Sequence, residues 1–316
     1  MMIAKQKGAA LLAVLVVAVI MVVLMGVAST MLESRLVMAQ DSKQRFQDLA
    51  LVYAKQNELI YLLATQRVTA AGVSKGHNAK GSLKGIEDNW LFPIIGDEIR
   101  ADGYVNKETS GLTYSIQNQD GLIPINSAGQ YWLNVWLKAK GENSRARAKY
   151  SDSLADYQDP DDLRRAAGAE KGDYSKSTTP EAKSSFQPAN FLLQNCNELW
   201  EISGWDTLLI EFPSFISYCG LRRGIDINLN VVPISLWQLL WPNSVEQVTE
   251  LRQQNKWFLS DSSILAAEPS FQNLTDDYYS YLGGVSFRIK VQLKHIHADV
   301  RLDRGRGRVH PYTIRQ

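Results

Sequence analysis

The chain has 316 residues, enough for one large domain or two smaller ones with cores of their own. Its 34 basic and 33 acidic side chains leave a net charge of +1, so nucleic acid, whose binding rests on clustered Lys and Arg, is not an expected partner. Two cysteines, Cys196 and Cys219, are too few for a disulfide scaffold. They leave two readings open: one bridge closing a loop of about twenty residues in an exported chain, or two half-buried thiols.

From Ala9 to Leu32 the chain runs 24 residues without a charge. As helix this spans about 36 Å, enough to cross a hydrocarbon core of about 30 Å. Three roles fit such a run: a cleaved export signal, a simple anchor, or a helix that spans a membrane and later packs against copies of itself. The run exceeds the roughly 7–15 apolar residues of a secretory signal, and its small residues GVAST (26–30) lie too far along for ordinary cleavage. From Val27 to Ala71 there is neither Gly nor Pro, the residues that most often end a helix. Within that stretch Leu36, Phe46, Leu49, Tyr53, Ile60 and Leu63 recur at three- and four-residue steps between polar side chains. The two segments therefore read as one helix from Ala9 to about Thr65, roughly 85 Å long and more than an anchor needs.

Further along, LTYSIQNQDGLIPIN (112–126) and GIDINLNVVPISLWQLLWP (224–242) echo each other. Each passes from alternation through a Gly/Asn-rich turn into an apolar, helix-like stretch. Residues 284–302 alternate strictly, with Val285, Phe287, Ile289, Val291 and Leu293 on one face. The phase then slips to Ile296, Ala298, Val300 and Leu302, and a bulge or tight turn near Lys294–His295 would restore one buried face. A long helix followed by an antiparallel sheet is an α+β plan. Between the echoing segments, residues 140–190 are rich in charge, Ser, Thr and Pro, while NCNELWEISGW and LLIEFPSFISYC read as short helices. The sheet thus reads as interrupted by a mainly helical insert.

That insert holds seven carboxylates within 22 residues: Asp152, Asp156, Asp159, Asp161, Asp162, Glu170 and Asp173. Crowded acids repel unless solvated or neutralised, and a hard cation such as Ca²⁺ takes roughly six to eight oxygens from such a set. The spacing is not that of an EF-hand loop, and a solvated acidic face is the competing reading. His295 and His297 lie two apart near a strand end, without the Cys or carboxylate pattern of a zinc or catalytic site. His77 and His310 stand alone. No nucleophile elbow and no phosphate loop is present, and the eight tryptophans read as core and interface anchors. No enzyme is expected.

The N-terminus, KQKG followed at once by AALLAVLV, resembles the type IV pilin and pseudopilin class. The resemblance implies a leader over residues 1–8, cut after Gly8 by a prepilin peptidase that methylates the new amine of Ala9. Cleavage before the apolar run leaves the run in the mature protein, and the leader lysines hold that end in the cytoplasm. Most members carry Glu at the fifth mature position, where this chain has Ala13. Its loss resembles the K minor pseudopilin of type II secretion, expected at the filament tip with no subunit above. LADYQDPDDLRRAAGAEKGDY (154–174), FQPANFLLQNCNELWEISGW (186–205) and IDINLNVVPISLWQLL (225–240) are similar to successive segments of that family. Val231-Val232 departs from its usual Thr-Ala, and Tyr157 stands where Trp is common.

The resemblance implies a pilin-like α+β fold, with a long N-terminal transmembrane helix packed on an antiparallel sheet, plus an inserted helical domain. In this sequence the parts are the helix 9–66 (span about 9–32), a first pilin-like part 67–126, the insert 127–223 and a second pilin-like part 224–316. It implies calcium in the insert, held by Asp156, Asp159, Asp161, Asp162, Glu170 and Asp173. It also implies minor pseudopilins I and J as partners, with the major pseudopilin and other secretion components, at the bacterial inner membrane with the globular part in the periplasm. The competing expectations are a minor type IV pilin for adhesion or DNA uptake, and a membrane-anchored periplasmic binding protein or hydrolase. A neighbouring set of secretion genes separates the first, and an unprocessed N-terminus the second.

Overall fold

The fold follows from a computed structural model that describes residues 7–76, 94–174, 187–281, 283–305 and 312–315. A run with no charge and few breakers satisfies its backbone most simply as helix. It forms helix α1, Lys7–Thr65, 59 residues without interruption. The apolar half contains a window of mean hydropathy 3.2, and every residue from Leu11 to Gln47 is exposed. That length and composition fit a single-pass membrane anchor. The chain divides into two units, Met1–Ala54 and Lys55–Gln316; all described residues of the first belong to α1.

The second unit begins with the last turns of α1, whose face of Leu59, Leu62 and Leu63 is buried. There Lys55 pairs with Glu58 at 2.6 Å and with Glu108 at 2.8 Å, and its ammonium lies 5.1 Å from the Tyr114 ring centre. Three short strands follow, β1 (Val68–Thr69), β2 (Gly72–Val73) and β3 (Ile99–Arg100), as a small antiparallel sheet. Next come β4 (Asn106–Lys107) and β5 (Thr113–Asn118). Here the sheet stops and the helical layer begins.

That layer contains β6 (Ile123–Pro124), α2 (Tyr131–Ala139), α3 (Ser144–Gln158), α4 (Lys171–Tyr174), α5 (Trp205–Glu211), α6 (Phe215–Tyr218), β7 (Cys219–Gly220), β8 (Ile227–Asn228), α7 (Ile234–Leu240), α8 (Val245–Gln253), α9 (Asp261–Ala267) and β9 (Tyr279–Ser280). Parallel pairs β6–β7 and β8–β9 tie its ends together. One continuous apolar core runs from Ile123 to Tyr279 and includes Trp132, Trp136, Trp205, Phe215, Trp237 and Phe271. The helical core therefore extends past residue 223 through α7, α8 and α9. Those helices bury Leu236, Trp237, Val248 and Ile264 against the same aromatic cluster as α2 and α5, which a local pattern cannot reveal. Two of the buried indoles find backbone acceptors, Trp132 donating to Tyr278 O at 3.0 Å and Trp205 to Tyr150 O at 3.1 Å, whereas the buried Trp136 N–H has none among the described residues. Trp200 is exposed, and Trp90 lies outside the described residues.

After the layer the main sheet resumes with β10 (Ser286–Leu293), β11 (Ile296–Arg304) and β12 (Tyr312–Arg315). Its order is β12-β11-β10-β5-β4, antiparallel throughout. Phe287 pairs with Asn118 and Gln292 with Thr113, so β10 joins the strand that preceded the helical layer. The phase slip in 284–302 resolves as a two-residue turn, with Leu293 opposite Ile296 and Lys294 at φ 53°. Phe287, Ile289, Val291, Leu293, Val300 and Leu302 are consequently buried on one face.

The echoing segments share a local device. Asn118 accepts from Asp120 N at 2.9 Å and Asn228 from Asn230 N at 3.0 Å, each capping a short 3-10 turn. The two turns pack together: Gln117 Nε2 donates to Val231 O at 2.8 Å, and a Cβ on Gly121 would lie 2.1 Å from that carbonyl oxygen. A third link is buried Arg252 of α8, which donates to Asp102 Oδ2 at 2.9 Å, Val232 O at 2.8 Å and Leu229 O at 3.0 Å.

Candidate functional site

The acidic segment is built on α3. Asn143 caps it, accepting from Ala146 N at 3.0 Å, and Asp159 closes it ahead of Pro160, which cannot continue a helix. Tyr150, Leu154 and Tyr157 enter the apolar core. Asp152 and Asp156, one turn apart, instead receive the returning loop 161–170. Ala167 N donates to Asp152 Oδ2 at 3.0 Å, and Arg165 N to Asp156 Oδ2 at 3.1 Å. Gly168 passes so close that a Cβ there would sit 1.9 Å from Asp156 Oδ2; only glycine lets the loop seat.

The loop carries two arginines with different tasks. Arg164 Nε donates to Gly168 O at 3.0 Å, and its guanidinium lies 3.4 Å from Asp173. Arg165 Nη1 donates to Asp156 Oδ1 at 2.8 Å and also to Asp159 Oδ2. Asp161 accepts from Leu163 N at 2.8 Å and is otherwise exposed, as is Asp162. Glu170 is 6 % exposed, yet among the described residues neither of its carboxylate oxygens has a hydrogen-bond partner, and Asp159 Oδ1 is likewise buried without one. Burial, followed by the charges of Asp156, Asp159 and Asp162, pushes the Glu170 carboxyl above its usual range. The Lys171 N–H next to it favours the charge without reaching hydrogen-bond geometry.

Of the six acids singled out in the sequence, Asp156, Asp159 and Asp162 act electrostatically on Glu170. Asp173 sits on α4 facing Arg164 and the Glu170 N–H, and Asp161 caps the loop. Among the described residues no three acidic, His or Cys side chains converge as a ready metal cage. Asp156 and Asp159 are drawn onto Arg165 instead. The buried, unpartnered oxygens of Glu170 and Asp159 are of the chemical kind that a hard cation takes. The role of Arg165 was not legible from the sequence, although an arginine within so acidic a run is a signal of one.

Cys196 and Cys219 are joined in the structure, with Cα atoms 6.0 Å apart. The bridge ties the 3-10 turn Cys196–Glu201 to β7. His295 and His297 are exposed at the β10–β11 turn and on β11. His77 and His310 lie outside the described residues. Gly8 and Ala9 fall in the first turns of α1, and residues 1–6 of the leader lie outside the described residues.

Residues 114–211, from β5 through the acidic loop to α5, match the protein family described as type II secretion system (T2SS), protein K. A chain of a solved structure, the crystal structure of the GspK-GspI-GspJ complex from the enterotoxigenic Escherichia coli type 2 secretion system, shares the fold. It aligns with a TM-score of 0.54 at 14 % identity, covering 87 % of this chain and 96 % of that one. No curated protein matches the sequence.

Proposed function

We propose that the chain is of the type II secretion system protein K family, whose model residues 114–211 match, and that it is the minor pseudopilin at the tip of the secretion pseudopilus. The observation that carries this reading is α1, whose apolar half is exposed along its whole described length and has no cover among the described residues. Such a surface is stable only in lipid or against other apolar helices. The chain is placed in the inner membrane with the second unit in the periplasm, after cleavage between Gly8 and Ala9 and methylation of Ala9. In lipid, helix association depends on close fit and on few polar contacts. Ala13 offers no carboxylate for the amine of a subunit above. The helix then has neighbours beside and below it but none beyond, so it starts a filament and does not extend it upward. The family of the matched segment supports a structural, non-catalytic component.

The partners are the minor pseudopilins I and J, in keeping with the complex whose chain shares this fold. Calcium belongs to the acidic loop, with Asp156, Asp159 and Glu170 as its main holders and Asp161, Asp162 and Asp173 as supporting acids. When bound it supplies the positive charge that this set lacks. The chain's own part is to seat the loop through Gly168 and Asp152, and to keep Glu170 out of bulk water. Co-expression with pseudopilins I and J, followed by purification through a tag on this chain, tests the assembly. One copy of each partner should co-purify. A chain that purifies alone, from membranes that contain both partners, would overturn the reading.

A further inference from the structure

The acid set already holds a cation, and it is a side chain of the same loop. Arg165 Nη1 touches Asp156 Oδ1 at 2.8 Å and Asp159 as well. The Asp156 side chain is fully buried, whereas that of Arg165 is 43 % exposed. The guanidinium therefore reaches inward from solvent and can withdraw without opening the core. It does not complete the site: Glu170 remains buried with both oxygens unpartnered, and so does Asp159 Oδ1. One guanidinium brings a single charge and a planar fork that suits two carboxylates, not three or four. Arg164 is differently placed, bonded to Gly168 O and facing Asp173, so it pins the loop through other partners than Asp156 and Asp159.

We propose that Arg165 is a resident counter-ion that competes with calcium for Asp156 and Asp159. Without metal it bridges the two aspartates, offsetting part of their charge, and keeps loop 161–170 seated on α3. When calcium enters, the guanidinium moves out to solvent, and Glu170 gains the charge partner it lacks. The loop thus stays folded in both states, and its calcium affinity is set by how firmly Arg165 holds its place. This inference rests on the calcium reading given above.

The test is calorimetric titration of calcium chloride into the full-length, chelator-treated chain in detergent micelles, with melting temperatures taken beside it. Arg165→Met should bind calcium about tenfold tighter or more, because a charge-assisted competitor is gone. Its metal-free melting temperature should fall, and calcium should restore it. Arg165→Lys, which keeps a charge without the fork and covers the case of a poorly folded Met variant, should show a smaller gain in the same direction. Arg164→Met, which leaves the Arg165 contacts with Asp156 and Asp159 in place, should tighten binding less than Arg165→Met. If the wild type binds calcium and neither Arg165 variant binds it more tightly, the competition is refuted while the calcium site stands. If neither wild type nor variants give binding heat or a thermal shift, the calcium reading itself falls and the competition with it.

Discussion

Removing the charge of Arg252 should destabilise the second unit less than removing that of Asp102, although the two form one buried pair. Their side chains are 3 % and 1 % exposed. Asp102 has a second cation, Arg100, and the Tyr104 N–H at 3.3 Å. Among the described residues Arg252 has only Asp102 as an anion, with the carbonyls of Val232 and Leu229. Burial draws the Arg252 guanidinium down to about 10, with the Arg100 charge acting the same way, and Asp102 opposes both. At neutral pH it is therefore still charged. Arg252→Met leaves two carbonyls without a donor but strands no charge, and should cost about 2–3 kcal/mol. Asp102→Ala strands a buried guanidinium and should cost about 3–5 kcal/mol. Urea unfolding of the full chain in micelles, followed by tryptophan fluorescence, reads both: the Trp237 and Trp257 rings lie 5.8 and 5.9 Å from the guanidinium. If the order is reversed, or if both losses stay under about 1 kcal/mol, the buried pair is not what holds α8 to the strands.

Two further expectations come from the same unit. Gly121→Ala places a Cβ against the Val231 carbonyl, so the two Asn-capped turns must separate; a loss of about 1–3 kcal/mol is expected in the same unfolding assay, whereas a neutral result would mean the turns are free to shift. Asp226 is held below its usual carboxylate range: burial raises it, but the bond and charge of Arg222 at 2.7 Å prevail. Its contribution is present above the unfolded value of about 3.9 and is lost as pH falls through the lower folded value. Asp226→Asn should therefore flatten the loss of stability between roughly pH 4 and pH 2 by no more than about 1 kcal/mol, and an unchanged acid limb would contradict the pairing.

Much of this architecture was open to local reading. The uncharged run, and the absence of Gly and Pro after it, gave α1 nearly to the residue. The alternation of 284–302, with its slip at Lys294–His295, gave the β10–β11 hairpin. What escaped depends on distant partners. Strands β6 to β9 are two residues each and exist because segments about 50 to 100 residues apart meet. Helices α8 and α9 lack a strong apolar stripe, and their burial is settled by the tryptophan core they share with α2 and α5. At the candidate site the acids were visible as a cluster. Their pairing with Arg165, the clearance at Gly168 and the isolation of Glu170 were not, because each depends on how loop 161–170 folds back on α3.

The most direct test of the pseudopilin assignment is the intact mass of the chain isolated from membranes that contain a prepilin peptidase, with fragmentation of its N-terminal peptide. A chain beginning at N-methylated Ala9, with the apolar run retained, is the expected result. A chain that still carries Met1 to Gly8, or one cut after the apolar run, would contradict it.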